Sequence, residues 1–320
     1  MTQRENFFAM MKGEPYEFIP MSHDLFQISR VYCLMDHPLT TGKDLFGADW
    51  IKEPEGMLRD PRSVVFDDIT QWKEYMKFPD PATLPFEEFA AKELPNFNRE
   101  EKLLAIYSTA GLFERMTAMV GFEETLCSLV LEPEACYDFF SAVADFKIAC
   151  YNRIIDLYHP DVINYFDDMC SANAPMMSQE TYRQVLKPHH KRIVDAVHSK
   201  GVLFMQHMCG TLDYMVDELV DIGVDIWNPA QPINDLDAIM EKYKGKLIVA
   251  GGWDTQGPCS LESSTEDLVI EETKRCRAEY CNHGNYIFHC GLVFKNGNAI
   301  ATGDPRWIAV RDTWRSISRL

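Results

Sequence analysis

His207 and Cys209, in the run Phe204-Met205-Gln206-His207-Met208-Cys209-Gly210, set an imidazole and a thiol two residues apart, on one side of an extended chain. Both are zinc-binding types, so the run reads as half of a metal site, with Gly210 free to turn the backbone tightly behind it. Two other runs end in groups of the same kind, Asn164-Tyr165-Phe166-Asp167-Asp168 and Tyr286-Ile287-Phe288-His289-Cys290-Gly291. A thiolate from Cys290 would complete one nitrogen and two sulfurs, the set that leaves a fourth zinc position open for substrate or water. His289 competes with Cys290, because neighbours on a strand point opposite ways and only one faces the centre. One carboxylate of Asp167 and Asp168 is expected near the metal as proton donor, ligand or substrate partner. The other role open to that pair is capping the loop that follows.

Groups so far apart in the chain meet only if the fold brings strand ends together. Thr2-x-x-Glu5 predicts a capped helix running to about Lys12, and Phe18–His23 a first strand. From Leu39 to about Glu101 the chain is dense in Pro, Asp, Glu and Trp and reads as excursions covering one face. Strands are then expected at Lys102–Tyr107, Val162–Phe166, Val202–Gln206, Asp225–Trp227, Leu247–Ala250 and Tyr286–His289. They alternate with helices over 112–130, 133–158, 178–199, 211–222, 235–243, 265–281 and from about Asp304. Short apolar strands in this rhythm imply parallel strands buried on both faces, and the count approaches eight. The reading is an α/β chain with a (β/α)8 TIM barrel as one domain over 1–320, irregular insertions in 1–101 and regular βα repeats in 102–320.

In such barrels the chemistry sits at the carboxyl ends of the strands. Asp167, Asp168, His207, Cys209, Asn228, Trp253, Asp254, His289 and Cys290 all fall there. His23, Tyr165, Asn228 and Asp254 are the candidates for lining a substrate pocket. By strand alternation Tyr165 shares a face with Asp167, so Asp167 is the inward carboxylate if Tyr165 lines the barrel. His189 and His190 are expected at a helix surface or terminus.

A net charge of −18 argues against nucleic-acid or anionic-membrane surfaces, which need clustered cations. No run of eighteen apolar residues and no apolar leader is present, so a cytoplasmic location is expected. The ten cysteines are scattered rather than arranged as a compact framework, which suits reduced core thiols.

Several runs together resemble a known family. Asp168, Met177-Ser178-Gln179-Glu180-Thr181-Tyr182, Pro188-His189-His190-Lys191-Arg192-Ile193, Val197-His198-Ser199-Lys200-Gly201, His207-Met208-Cys209-Gly210 and Gly223-Val224-Asp225 look like the uroporphyrinogen decarboxylase superfamily. The resemblance covers most of the chain and implies a (β/α)8 barrel. One branch, the decarboxylases, is metal-free and holds an acidic tetrapyrrole with an arginine-rich N-terminal segment, a pattern that Pro20-Met21-Ser22-His23-Asp24-Leu25-Phe26-Gln27 lacks. The other branch contains corrinoid-dependent methyltransferases whose His-x-Cys and distant Cys bind zinc, matched here by His207, Cys209 and Cys290. Residues 42–50, 67–72 and 77–80 look like enzymes that demethylate methoxylated, often aromatic, compounds.

The resemblance therefore implies Zn2+-dependent transfer of a methyl group from such a compound to the cobalt of a corrinoid (cobalamin) carried by a partner protein. Asp167 or Asp168 would protonate the departing oxygen. Methyl transfer from a methylcobamide to a thiol is the alternative, and decarboxylation a further one. The expected partners are a corrinoid protein and a small-molecule methyl donor or acceptor, with a homodimer as a candidate assembly.

Overall fold

In the structure, a computed structural model that describes residues 1–31, 38, 40–53, 56–292 and 303–320, the short apolar runs become a ring of parallel strands. β1 is Phe26–Ser29. Three short strands, β2 (Gly42–Lys43), β3 (Asp49–Glu53) and β4 (Gly56–Arg59), form a separate antiparallel ribbon. β5 (Leu103–Ser108), β6 (Val162–Phe166), β7 (Leu203–His207), β8 (Ile226–Ala230), β9 (Ile248–Gly252) and β10 (Tyr286–His289) follow β1 in one parallel sheet, in the order β1-β5-β6-β7-β8-β9-β10. The ring closes at the chain's start: Met21 bridges Phe288 in parallel register, and the Phe288 N–H donates to the Pro20 carbonyl at 2.9 Å. The fold is a (β/α)8 TIM barrel, with Pro20–Met21 in the ring position between β10 and β1. No helix among the described residues is long and apolar enough to cross a membrane.

The capping box is present, with Thr2 Oγ1 accepting from Glu5 N–H and Glu5 accepting from Thr2 N–H. The first strand expected, Phe18–His23, stops early because the Met21 carbonyl accepts from the N–H groups of Asp24 and Leu25 at 3.0 and 2.9 Å. Ser22–Leu25 is helical, so His23 sits on a helix turn and not at a strand end. The helix expected over 112–130 breaks at Gly121, φ 91°, into Leu112–Val120 and Phe122–Leu131. The segment 178–199 contains a π-turn at Tyr182–Leu186 just before Pro188, whose missing N–H interrupts the regular ladder.

The ribbon β2–β4 is pinned over the barrel mouth by a buried ion pair between Arg115, on the helix Leu112–Val120, and Asp44, their side chains 1% and 0% exposed. Asp44 also accepts from Trp50 Nε1 at 2.9 Å. Two fully desolvated charges are tolerated only when paired and hydrogen-bonded, so this contact fixes where the ribbon lies.

Alternate residues of the strands divide into two apolar clusters. Leu103, Ala105, Val162, Met205, Ile226, Ile248, Ala250 and Ile287 fill the barrel interior, which Phe7 and Met10 of the helix Gln3–Met11 close from the amino end. Leu104, Ile106, Ile163, Tyr165, Phe204, Trp227, Val249, Tyr286 and Phe288 belong to the layer shared with the helices. Each large apolar side chain among them contributes about 1.5–3 kcal/mol, enough in sum to forbid a one-residue slip that would exchange the two sets.

Candidate metal centre and active site

That alternation decides which strand-end groups face inward. An even number of residues beyond the inner-cluster positions come Phe166 and Asp168, four and six after Val162, and His207, Asn228 and His289, each two after Met205, Ile226 and Ile287. Tyr165 and Asp167 are on the opposite side. The inward carboxylate is thus Asp168, because Tyr165 does not line the barrel.

Asp168, His207 and Cys209 offer ligand atoms that all lie within 4.8 Å of one another. His207 Nε2 is 3.7 Å from Cys209 Sγ and 4.0 Å from Asp168 Oδ2. Zinc, with bonds of about 2.0–2.3 Å in a tetrahedron, needs donors about 3.5 Å apart, so the residues fit that ion with little adjustment. Imidazole, thiol and carboxylate are also the donor types zinc takes. The His207 Nδ1–H donates to Asn228 Oδ1 at 3.2 Å, which turns Nε2 and its lone pair towards Cys209 and Asp168. The Phe166 ring stacks on the imidazole, centroids 4.0 Å apart. Asp168 Oδ1 accepts from the Cys209 N–H at 2.6 Å, tying the β6 and β7 ends together. Gly210, φ 96°, makes the close turn: a Cβ there would lie 2.4 Å from the Ser171 carbonyl oxygen. Burial lowers the His207 pKa and raises that of Cys209, to which Asp168 adds, so without a cation both groups are neutral. A bound divalent ion would reverse the thiol's preference.

Asp167 does different work. The helix Leu112–Val120 starts at Gly111, which has no side chain to cap it. Its first donors are satisfied from β6 instead: Leu112 and Phe113 N–H donate to Asp167 Oδ2 at 2.9 and 3.2 Å, and Glu114 N–H to Oδ1 at 3.0 Å. His190 Nε2–H donates to Asp167 Oδ2 at 2.8 Å, and the Tyr182 hydroxyl lies 3.3 Å from its Nδ1. His190 and His189 are both buried rather than on a helix surface. Gly111 is required for this approach, since a Cβ would sit 2.4 Å from Asp167 Cβ. Gly111→Ala is expected to cost about 1–3 kcal/mol, read as a lower denaturation midpoint at unchanged slope. An unshifted midpoint would show that Asp167 can retreat freely.

Of the remaining sequence-derived candidates only Asn228 is hydrogen-bonded to one of the three donor residues, and none of them joins the donor group. Cys290 lies beyond the end of β10 on the side opposite His289, and burial pushes its thiol up, with Cys259 and Glu272 of the outer layer adding to the shift. His289 is the residue turned inward: its ring stacks at 5.5 Å on His23, which lies 4.4 Å from Trp307. Burial draws His289 down to about 3 and His23 to about 4, and the Nδ1 atoms of both are buried without a partner. Tyr165 is fully buried beneath the helix Leu112–Val120, its hydroxyl accepting from the Leu112 N–H at 2.9 Å. Asn228 acts on His207. Asp254 is engaged in its own loop, where Oδ1 accepts from Gln256 N–H at 3.1 Å and its N–H donates to Glu272 at 2.8 Å.

Two groups at the site, Glu114 and Arg59, carried no sequence signal. Glu114 accepts from the Asp168 N–H at 3.3 Å, and burial, reinforced by Asp168 and Asp167, pushes its carboxyl well above the usual range. A cavity of about 400 Å3 opens beside it, lined by Phe166, Asp168 and Glu114 on the barrel side and by Trp50, Met57 and Arg59 of the ribbon. The volume is that of a small-molecule site.

The family model described as uroporphyrinogen decarboxylase (URO-D) matches residues 67–295. Among characterised proteins the chain is similar to a methylated-thiol–coenzyme M methyltransferase of Methanosarcina mazei, 24% identical over 180 residues. That match covers 53% of this chain and 44% of the relative, so it spans less than half of the relative's length. Among solved structures, a methyltransferase from Methanosarcina mazei superposes with a TM-score of 0.72 over 99% of both chains at 14% identity, which shows a shared fold. With the family model matching well over half of its residues, the chain belongs to the uroporphyrinogen decarboxylase family.

Proposed function

We propose that the chain is a zinc-dependent methyltransferase that takes the methyl group of a methoxylated aromatic compound and passes it to the cobalt of a corrinoid held by a partner protein. The observation that carries this reading is the convergence of Asp168, His207 and Cys209 at the carboxyl end of the barrel. Those three residues would hold the ion and leave one position open. When bound, zinc supplies a Lewis acid that makes an ether oxygen a better leaving group.

The chain's own residues do the rest. Asn228 fixes the imidazole, Phe166 covers its face, and the β6–β7 hydrogen bond keeps carboxylate and thiol side by side. The His207 and Asp168 side chains are 19% and 34% exposed, so the group is reachable from the mouth. The aromatic wall of the adjoining cavity, Phe166 and Trp50, suits a flat substrate. The Tyr107 ring packs against Phe166, centroids 5.0 Å apart, and supports it from β5.

The similarity to a methylated-thiol–coenzyme M methyltransferase supports a second reading, in which a thiol occupies the open position and the methyl moves to sulfur. Metal analysis and a cob(I)alamin assay test both. The purified protein is expected to hold about one zinc per chain and to methylate cob(I)alamin from a methoxylated benzene, followed by absorbance. Fewer than about one zinc per three folded chains removes the mechanism. Turnover only with methylated thiols selects the second reading.

A further inference from the structure

Across the mouth from the three donors stands a second pair of imidazoles. His289 ends β10, three strands round the ring from His207, and His23 comes from the helix turn after the closing segment Pro20–Met21. Their ring centres are 5.5 Å apart with the planes within 18° of parallel, and Trp307 of the helix Pro305–Ile317 backs His23 at 4.4 Å. That separation is wider than the face contact of Phe166 with His207, at 4.0 Å. It matches two imidazoles that share one ion, since bonds of about 2.0–2.1 Å put the ring centres roughly 5–6 Å apart. Nδ1 of each ring is buried without a partner, whereas His190 and His198 each hold a carboxylate at 2.8 Å. A buried ring nitrogen left bare is costly. Asp24, next to His23, is already engaged, because Arg315 takes both of its oxygens, at 2.9 and 2.6 Å. Burial holds both imidazoles neutral, the form that ligates a metal.

We propose that His23 and His289 hold a second ion, a divalent transition metal of the zinc, nickel and cobalt class, in a site separate from Asp168, His207 and Cys209. Two neutral nitrogens select that class over calcium and magnesium, which take oxygen, and over the softest ions, which take thiolate. Both histidines are partly exposed, so water from the mouth completes the ion's shell. With two protein ligands against three, the site binds more weakly, fills second and gives up its ion during purification. An ion there faces the same mouth as the first and offers a second Lewis acid to what enters it.

The test is titration of the metal-free protein with Co2+, whose absorption reports its ligands. Bound by Cys209 it gives a thiolate-to-cobalt charge-transfer band, and bound by imidazoles without a thiolate it gives only weak visible bands. Wild type is expected to take up about two equivalents, the first with the charge-transfer band and the second without it. His23→Ala and His289→Ala should each lose the second equivalent and keep the first, whose surviving band shows that the variants are folded. His289→Cys should bring a charge-transfer band to the second equivalent. A single equivalent in wild type, two equivalents retained in both alanine variants, or no new band in His289→Cys would overturn the proposal. The readout separates it from the methyltransferase reading: no charge-transfer band in wild type, with a histidine-dependent equivalent still bound, sinks the Cys209 centre and leaves the imidazole site standing.

Discussion

Asp167→Ala is expected to lose about 3–5 kcal/mol of folding stability, whereas Asp168→Ala keeps its unfolding midpoint near that of wild type and loses the metal instead. The two residues are adjacent in sequence, yet their surroundings differ in kind. Asp167 is fully buried and accepts from three helix-start N–H groups and from His190. Removing it strands several donors at once, each costing about 1–3 kcal/mol when left unsatisfied, although water entering the space would offset part of the sum. Asp168 is one-third exposed, and its loss frees only the Cys209 N–H and one donor of the metal group. Urea titration of both variants, paired with zinc analysis, gives the comparison. Equal destabilisation by the two changes would mean that the alternation argued for β6 is wrong.

Cys209→Ala is expected to empty the metal site and lower methyl transfer by more than about 100-fold, beyond the 10- to 100-fold typical of losing a supporting hydrogen bond such as that from His207 to Asn228. Cys290→Ala is expected to keep its zinc, since its thiol lies with Cys259 and Glu272 and not with the donors. Zinc content and cob(I)alamin methylation measured on both proteins decide the ligand set. Zinc lost from Cys290→Ala would show that the end of β10 turns over on binding and that Cys290 is a ligand after all. Methyl transfer retained at the wild-type rate in Cys209→Ala would remove the site altogether.

Much of the barrel could be read from its rhythm, because each buried strand of the second half is a short apolar run bounded by polar turns. β6 and β10 have the bounds expected of them, and the helix Pro133–Tyr158 opens at its proline. His207 and Cys209 stood out because a two-residue spacing keeps side chains together near a strand end. The choice between Asp167 and Asp168, or between His289 and Cys290, was not legible locally. Both faces of a barrel strand are apolar, so Tyr165 and Phe166 look alike in sequence, and only the filled interior shows which is inward. The signal for Asp167 was present in another place: a helix beginning at Gly111 with no capping side chain must find its acceptors elsewhere. Residues 39–101 gave no warning of the ribbon, whose strands are two to five residues long with four of their ten described side-chain positions exposed. Arg59 and Glu114 belong to the site through long-range placement alone.

The ring closes through contacts between the two ends of the chain. Trp314 Nε1 donates to the Ile19 carbonyl across a sequence separation of 295 residues, and Arg315 pairs with Asp24 at 2.6 Å. A ribosome making this protein therefore releases the segment that will flank β10 long before β10 exists. Until the last strand and the helix Pro305–Ile317 emerge, the growing sheet has an unpaired edge and an interior open on one side. Chains interrupted shortly before residue 286 would carry almost every catalytic group yet have no closed barrel to hold them, and would be substrates for chaperones or proteases rather than partial enzymes.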